Sequence, residues 1–217
     1  MKHKNIRDHL SSKYPHHTWA LVHERSLRSV YRLDKGGLPE YFVKIYDPKT
    51  CQEKLRNLLR QRTLHEARML ARLKQAGILV PEVHDHVRFH AASALVTRAV
   101  TSARPIFEID PERRSAIMLE MAAGLLNNSF FFTDMHAGNI VLDGRERPCL
   151  LDAYEIAPCK KITSKHIVSL FAQVLNSVDI TEDELKEALK TLKHGYDRDD
   201  LAGKIRTRFL YLRRRYV

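Results

Sequence analysis

Glycine, proline and cysteine are all scarce: eight, eight and three among 217 residues. Cys51, Cys149 and Cys159 are odd in number and form no C-x-x-C pair. That usage argues against a disulfide framework and against a cysteine zinc site, and it fits a reducing cytoplasm. No apolar run approaches the ~20 residues that span a bilayer. The N-terminal MKHKNIRDHLSSKYPHH follows its charged start with no apolar segment, so it does not read as a secretory signal. No internal repeat or low-complexity linker interrupts the chain. Acidic residues are also in deficit: 26 Asp and Glu face 37 Lys and Arg, a formal net charge of +11. That balance favours an anionic partner, whether nucleic acid, a phosphorylated substrate or an acidic membrane surface, and does not choose among them.

What the chain does contain is core material, 44% hydrophobic against 29% charged, in the range of a soluble globular protein of one domain or two small lobes. TWALVHE, RSVYRL and YFVKIYD within residues 18–46 are short and β-prone, separated by turn signals such as DKGGLPE. From Cys51 to Ala76 neither Gly nor Pro occurs, and Leu55, Leu58, Leu59, Leu70 and Leu73 recur at helical spacings, so the stretch predicts one long helix stopped by Gly77 and Pro81. EVHDHVRF and SALVTRAV predict two more strands. After Ala103 helices dominate: PERRSAIMLEMAAGLLNN, then segments near 163–177, 181–193 and 198–214, with a capping box in TEDE. The reading is α+β, with a strand-rich lobe over residues 1–98 and a mostly helical lobe over 99–217. His84, His86 and His90 would share one face of a strand, but no fourth ligand accompanies them, and a solvated face is the simpler account. In the tail, arginines alternate with Phe209, Leu210, Tyr211 and Leu212, as in a basic amphipathic helix that either lies on an acidic membrane or packs its apolar side.

One stretch carries chemistry. FFFTDMHAGNIVLDGRERPCLLDAYEI, from Phe130 to Ile156, sets Asp134, Asn139 and Asp152 among residues that otherwise read as core. A carboxylate placed there must be paired, bind a metal or face a cleft. NIVLD and PCLLD form a predicted hairpin that brings Asn139 beside Asp152. Asp134 and Asn139, five positions apart, can aim one oxygen at a substrate hydroxyl and the other at a metal. Mg²⁺ suits such a site, because it takes hard oxygen ligands and keeps waters and phosphate oxygens in its shell.

The spacing D-x-x-x-x-N followed by a further Asp resembles the catalytic loop and metal-binding aspartate of protein kinases. Lys44 in YFVKIYD matches the ATP-binding lysine, and Glu66 in RTLHEARML matches its glutamate partner on the following helix. The loop form D-x-H-x-G-N, with His136, is similar to that of small-molecule and sugar kinases of the same fold. Together with FVKIY and RQRTLHEARMLARLKQAGILVPEV it most resembles the lipopolysaccharide core heptose kinase family, over roughly Val30 to Ile156.

That resemblance implies a two-lobed, protein-kinase-like fold that uses ATP and Mg²⁺. Lys44, held by Glu66, would bind the nucleotide phosphates, which the backbone from Ser26 to Ser29 and Val30 would cover. Asn139 and Asp152 would hold the metal, and Asp134 would take the acceptor's proton. His136 would orient the loop through a backbone hydrogen bond. The acceptor would be lipopolysaccharide core oligosaccharide or a similar anionic glycan, met in the cytoplasm with peripheral contact to the inner membrane. Nucleic acid is the less favoured partner. Departures are plain: ERSLRSVYRL holds no glycine where phosphates should be covered, Phe132 precedes the loop where histidine is usual, D-F-G has become DAY, and no activation segment ending in A-P-E follows. The alternatives are a small atypical protein kinase or ATPase of the tRNA-modification type, and a kinase-like regulatory module that binds nucleotide without turnover. His136 and GILVP favour the sugar kinase.

Overall fold

The structure, a computed structural model, describes residues 5–59, 61–193 and 195–214 and all side chains within them except those of Arg56 and Leu59. Arg215 of the basic tail lies outside the described residues. The chain divides into two units. The first runs to Gln75 and resumes over Val80–Thr101; the second comprises Ala76–Leu79 and the residues from Ser102 onward.

The first unit begins with a helix that sequence pattern did not indicate, α1 (Ile6–Lys13), short and set in a polar flank. Asn5 caps it, its Oδ1 accepting the Asp8 N–H at 2.9 Å, and it buries Ile6 and Leu10. Strands β1 (Thr18–Arg25), β2 (Arg28–Lys35) and β3 (Leu38–Tyr46) follow, then helices α2 (Cys51–Leu59) and α3 (Arg62–Gln75), then β4 (Val83–Phe89) and β5 (Ala92–Arg98). The strands form one antiparallel sheet in the order β1-β2-β3-β5-β4. Gly36 and Gly37 turn β2 into β3 with φ of 59° and 82°, a pair of left-handed positions that favours glycine and matches strand twist. α1 covers one face, where Leu10, Tyr14, Tyr41, Val43, Ile45 and Val96 share a core. α3 covers the other through Met69, Leu70 and Leu73.

Two elements differ from what the sequence predicts. The single helix over Cys51–Ala76 is two helices, with Gln61 outside both. Asn57 on α2 donates to the Ala91 carbonyl at 2.7 Å, while α3 buries Thr63, Glu66, Met69, Leu70 and Leu73 against the sheet. At about 100° per residue a continuous helix would place Asn57 and Glu66 ~180° apart, so only a break lets both meet the sheet. Likewise His84, His86 and His90 do not share a face. A bulge between Val83 and Asp85 inserts His84, whose ring lies 4.4 Å from that of Tyr41 on the α1 side. His86 turns to α3, its Nε2 2.9 Å from Thr63 Oγ1, and His90 sits in the following turn at φ 54°.

The second unit holds β6 (Arg104–Pro105), α4 (Pro111–Asn127), β7 (Phe130–Phe132), β8 (Ile140–Leu142), β9 (Pro148–Leu150), β10 (Ile156–Pro158), α5 (Ser164–Ser177), α6 (Glu182–Lys190) and α7 (Arg198–Arg213). Asp110 caps α4, with Pro111 at the first helical position. The Thr181–Glu184 capping box is present on α6. α6 stops short of the expected 193 because Asn127, ending α4, takes its last groups: Nδ2 donates to the Thr191 carbonyl at 3.0 Å and Oδ1 accepts the Lys193 N–H at 2.8 Å. β8 and β9 pair as the expected hairpin, with β6 alongside, and β7 pairs with β10. Helix α7 packs through Leu201, Ala202 and Ile205; beyond Ile205 no described residue of it is buried, and Leu210 and Tyr211 are exposed.

Candidate active site

The carboxylates have separate answers. In the first unit β3 alternates, sending Tyr41, Val43 and Ile45 into the α1 core and Lys44 and Tyr46 towards α3, where Arg62 lies 5.7 Å from the Tyr46 ring. Glu66, on α3, is fully buried, and an ionised carboxylate in that position requires a partner. Lys44 supplies it, its Nζ bonded to Glu66 Oε1. Val30 stands opposite Lys44 in the β2–β3 register, on the same face of the sheet. Ser26 lies in the two-residue turn between β1 and β2. The Ser29 side chain shares the face of Tyr31, opposite to that of Lys44, with its hydroxyl 3.5 Å from Glu24 Oε1. Any contact from Ser29 to a ligand of Lys44 therefore falls to its backbone.

In the second unit, β7 buries Phe130 and Phe132 and then releases the chain into a loop at Thr133. Asp134 emerges with its side chain 60% exposed, while Met135 is buried as the loop's anchor. Two residues of α5, one turn apart, hold this loop. Gln173 Oε1 accepts the Met135 N–H at 2.7 Å, and Ser177 Oγ accepts the Ala137 N–H at 2.7 Å. Asn139 closes it from within: its Nδ2 donates to the Asp134 carbonyl at 2.8 Å, which leaves Oδ1 as the amide's acceptor. The hairpin continues the alignment, for the Leu151 N–H donates to the Asn139 carbonyl at 2.8 Å and so places Asp152 one residue past Asn139's partner. Asp152 Oδ1 accepts the Tyr154 N–H at 3.0 Å.

His136 contacts a side chain rather than a backbone group. Its Nε2 lies 3.7 Å from Asp134 Oδ2, and a Cβ added at Gly138 would come within 3.0 Å of its Nδ1. A side chain at 138 would press on the imidazole, which would have to give by a few tenths of an ångström. At the far end of the hairpin Asp143 accepts the Arg145 and Arg147 N–H groups, each at 2.9 Å, and the Arg147 guanidinium at 2.7 and 3.0 Å. Those bonds hold its carboxyl below the usual range.

Among the described residues no three His, Cys, Asp or Glu side chains gather as a metal cluster. A cation here would draw on two protein oxygens, Asn139 Oδ1 and the Asp152 carboxylate, both hard donors. That set suits Mg²⁺, which needs few protein ligands when phosphates and water complete its shell. An exposed carboxylate such as that of Asp134 is a group that can accept a hydroxyl proton. Gln173, Ser177 and Asp143 were missed by sequence reasoning. A signal existed for the first two: polar residues four apart within the apolar SKHIVSLFAQVLNS.

No protein-family model matches the sequence. Over 110 residues, half of this chain, it is 36% identical to an aminoglycoside 3'-phosphotransferase of Streptomyces ribosidificus, and the match spans 39% of that protein. Among solved structures it is similar to an aminoglycoside-3'-phosphotransferase of type VIII, with a TM-score of 0.65 and 19% identity, over 94% of this chain and 98% of that one. It is also similar to the kinase WbdD bound to the inhibitor LY294002, with a TM-score of 0.57 and 19% identity, over 86% of this chain and 45% of that one. The chain shares the kinase-like fold of these proteins.

Proposed function

We propose that this chain transfers the γ-phosphoryl group of ATP to a sugar hydroxyl, and that the acceptor is a heptose of the lipopolysaccharide inner core. The observation that carries the reading is the built loop in the second unit, where Gln173, Ser177 and Asn139 fix the backbone on either side of an exposed Asp134. The partial sequence match to a phosphotransferase supports it. Lys44, oriented by Glu66, binds the nucleotide's α- and β-phosphates. Asn139 and Asp152 hold Mg²⁺, which when bound neutralises phosphate charge. Asp134 positions the acceptor hydroxyl and takes its proton as the bond to phosphorus forms. His136, beside Asp134, steadies that carboxylate.

The related phosphotransferase is named for an aminoglycoside, an acceptor whose amino groups are cationic at neutral pH. A net charge of +11 opposes such an acceptor and favours the phosphates and carboxylates of core oligosaccharide. No helix among the described residues is long and apolar enough to cross a membrane. The reading places the enzyme in the cytoplasm, with its basic tail against the inner membrane.

The experiment is transfer of labelled γ-phosphate from ATP to four acceptors: core oligosaccharide, an aminoglycoside, casein and tRNA. Labelled core oligosaccharide is the expected product. Preferred labelling of the aminoglycoside would replace the acceptor and keep the chemistry. Labelling of casein or tRNA would point to the atypical protein kinase or ATPase, and nucleotide binding without turnover on any acceptor would leave only a regulatory module.

A further inference from the structure

Within the second unit, α5 and α7 border an open groove of about 990 Å³. That is at the upper end of the ~300–1,000 Å³ of small-molecule sites. Ser169 lines it from α5, four residues before Gln173, whose side chain holds the Met135 N–H. The groove therefore starts about one turn, ~5.4 Å along α5, from the residue that anchors the loop.

Its charge is divided. At the α7 N-terminal end Lys204 is bonded to Asp200 at 2.5 Å, and Asp199 lies 3.7 Å from Lys186, so these carboxylates are answered locally. Arg208 lies two helical turns further along α7, and Lys165 enters from α5. Among the described residues neither has a carboxylate within ion-pair distance. The Arg208 guanidinium lies 5.0 Å from the centre of the Tyr211 ring, and Tyr211 is exposed. The groove thus offers two cations with no described carboxylate within ion-pair distance, the Ser169 hydroxyl, and the exposed side chain of Tyr211; the Thr207 hydroxyl is engaged with the Gly203 carbonyl at 3.0 Å. Guanidinium and ammonium groups meet phosphate or carboxylate oxygens in charge-assisted hydrogen bonds.

We propose that this groove is a subsite that holds the anionic portion of a glycan, with Lys165 and Arg208 taking its phosphate or carboxylate and Tyr211 its ring. The proposal rests on the sugar-kinase reading only in naming this glycan as the acceptor; binding at the groove is measured without turnover. Titration of the full chain with mannose 6-phosphate, mannose and inorganic phosphate, followed by backbone amide NMR, tests it. Mannose 6-phosphate should perturb Ser169, Gly203 and Thr207 saturably, mannose should leave them unmoved, and inorganic phosphate should bind more weakly. Removing a charged hydrogen-bond partner typically weakens binding roughly tenfold or more. Lys165→Gln and Arg208→Gln should each do so for mannose 6-phosphate while the affinity for MgATP stays at the wild-type value. Equal binding of mannose and mannose 6-phosphate, equal binding of inorganic phosphate, shifts that map away from the groove, or indifference to both substitutions would overturn the subsite. Absence of phosphoryl transfer in a chain that still binds mannose 6-phosphate here would instead count against the kinase reading alone.

Discussion

Glu66 and Lys44 illustrate why a buried pair must be tested as a pair. Lys44→Met leaves the fully buried Glu66 carboxylate without its ammonium, a change that costs about 3–5 kcal/mol in comparable sites. Adding Glu66→Gln removes the stranded charge. The double variant should regain much of the lost stability in thermal unfolding, yet its nucleotide affinity should stay low, because the ammonium proposed to bind phosphate is gone. Recovery of both would make the pair purely structural. A second residue-scale effect concerns pH. Burial holds the His86 imidazole below its ordinary value, partly offset by the Asp85 charge, with Nε2 2.9 Å from Thr63 Oγ1. The unfolded chain takes up this proton first, so the contribution to stability is complete above about pH 6.5 and is lost as pH falls through the lower folded value. His86→Gln should flatten that part of the acid limb in pH-dependent unfolding. An unchanged slope between wild type and variant would contradict the assignment.

Elements decide how well the loop is aimed. Gln173 and Ser177 satisfy two N–H groups of the Asp134 loop from α5, and leaving such groups unmet costs about 1–3 kcal/mol each. Gln173→Ala with Ser177→Ala should lower kcat by up to roughly a hundredfold, since small misplacements of reacting groups have effects of that size, while MgATP affinity is kept. Amide exchange at Met135 and Ala137 should quicken in the same variant; unaltered exchange with full activity would remove α5 from the account. The five strands of the first unit, α4 and the β8–β9 hairpin were legible in sequence because each has a strong local period or cap. The loop's supports were not, since Gln173 and Ser177 act on residues about forty positions away. The break between α2 and α3 was equally hidden: no Gly or Pro marks it, and it arises from Asn57 and Glu66 both needing the same sheet. Helix α1 was missed because eight residues carry too little pattern.

For the whole molecule, charge and fold bear on different questions. The basic end of α7 carries Arg206, Arg208, Arg213 and Arg214 with Leu210 and Tyr211 exposed among them. Near an acidic bilayer each cation contributes about 1 kcal/mol, so Arg213→Gln with Arg214→Gln should weaken partition to phosphatidylserine vesicles by roughly thirtyfold at low salt. The difference should fade as salt screens it. Equal partition of the two proteins would leave the tail as a packed helix with solvated arginines. The fold, in contrast, is the kinase-like one, and the proposed chemistry turns on one exposed carboxylate, Asp134, in a loop held by Gln173 and Ser177. The most direct test is a single-turnover assay of γ-phosphate transfer to core oligosaccharide by wild type and Asp134→Asn, with MgATP affinity measured on the same preparations. The variant should bind MgATP as wild type does and transfer about 10²–10⁴-fold more slowly, the usual effect of losing a positioned proton acceptor. Transfer at close to the wild-type rate by Asp134→Asn would contradict the account.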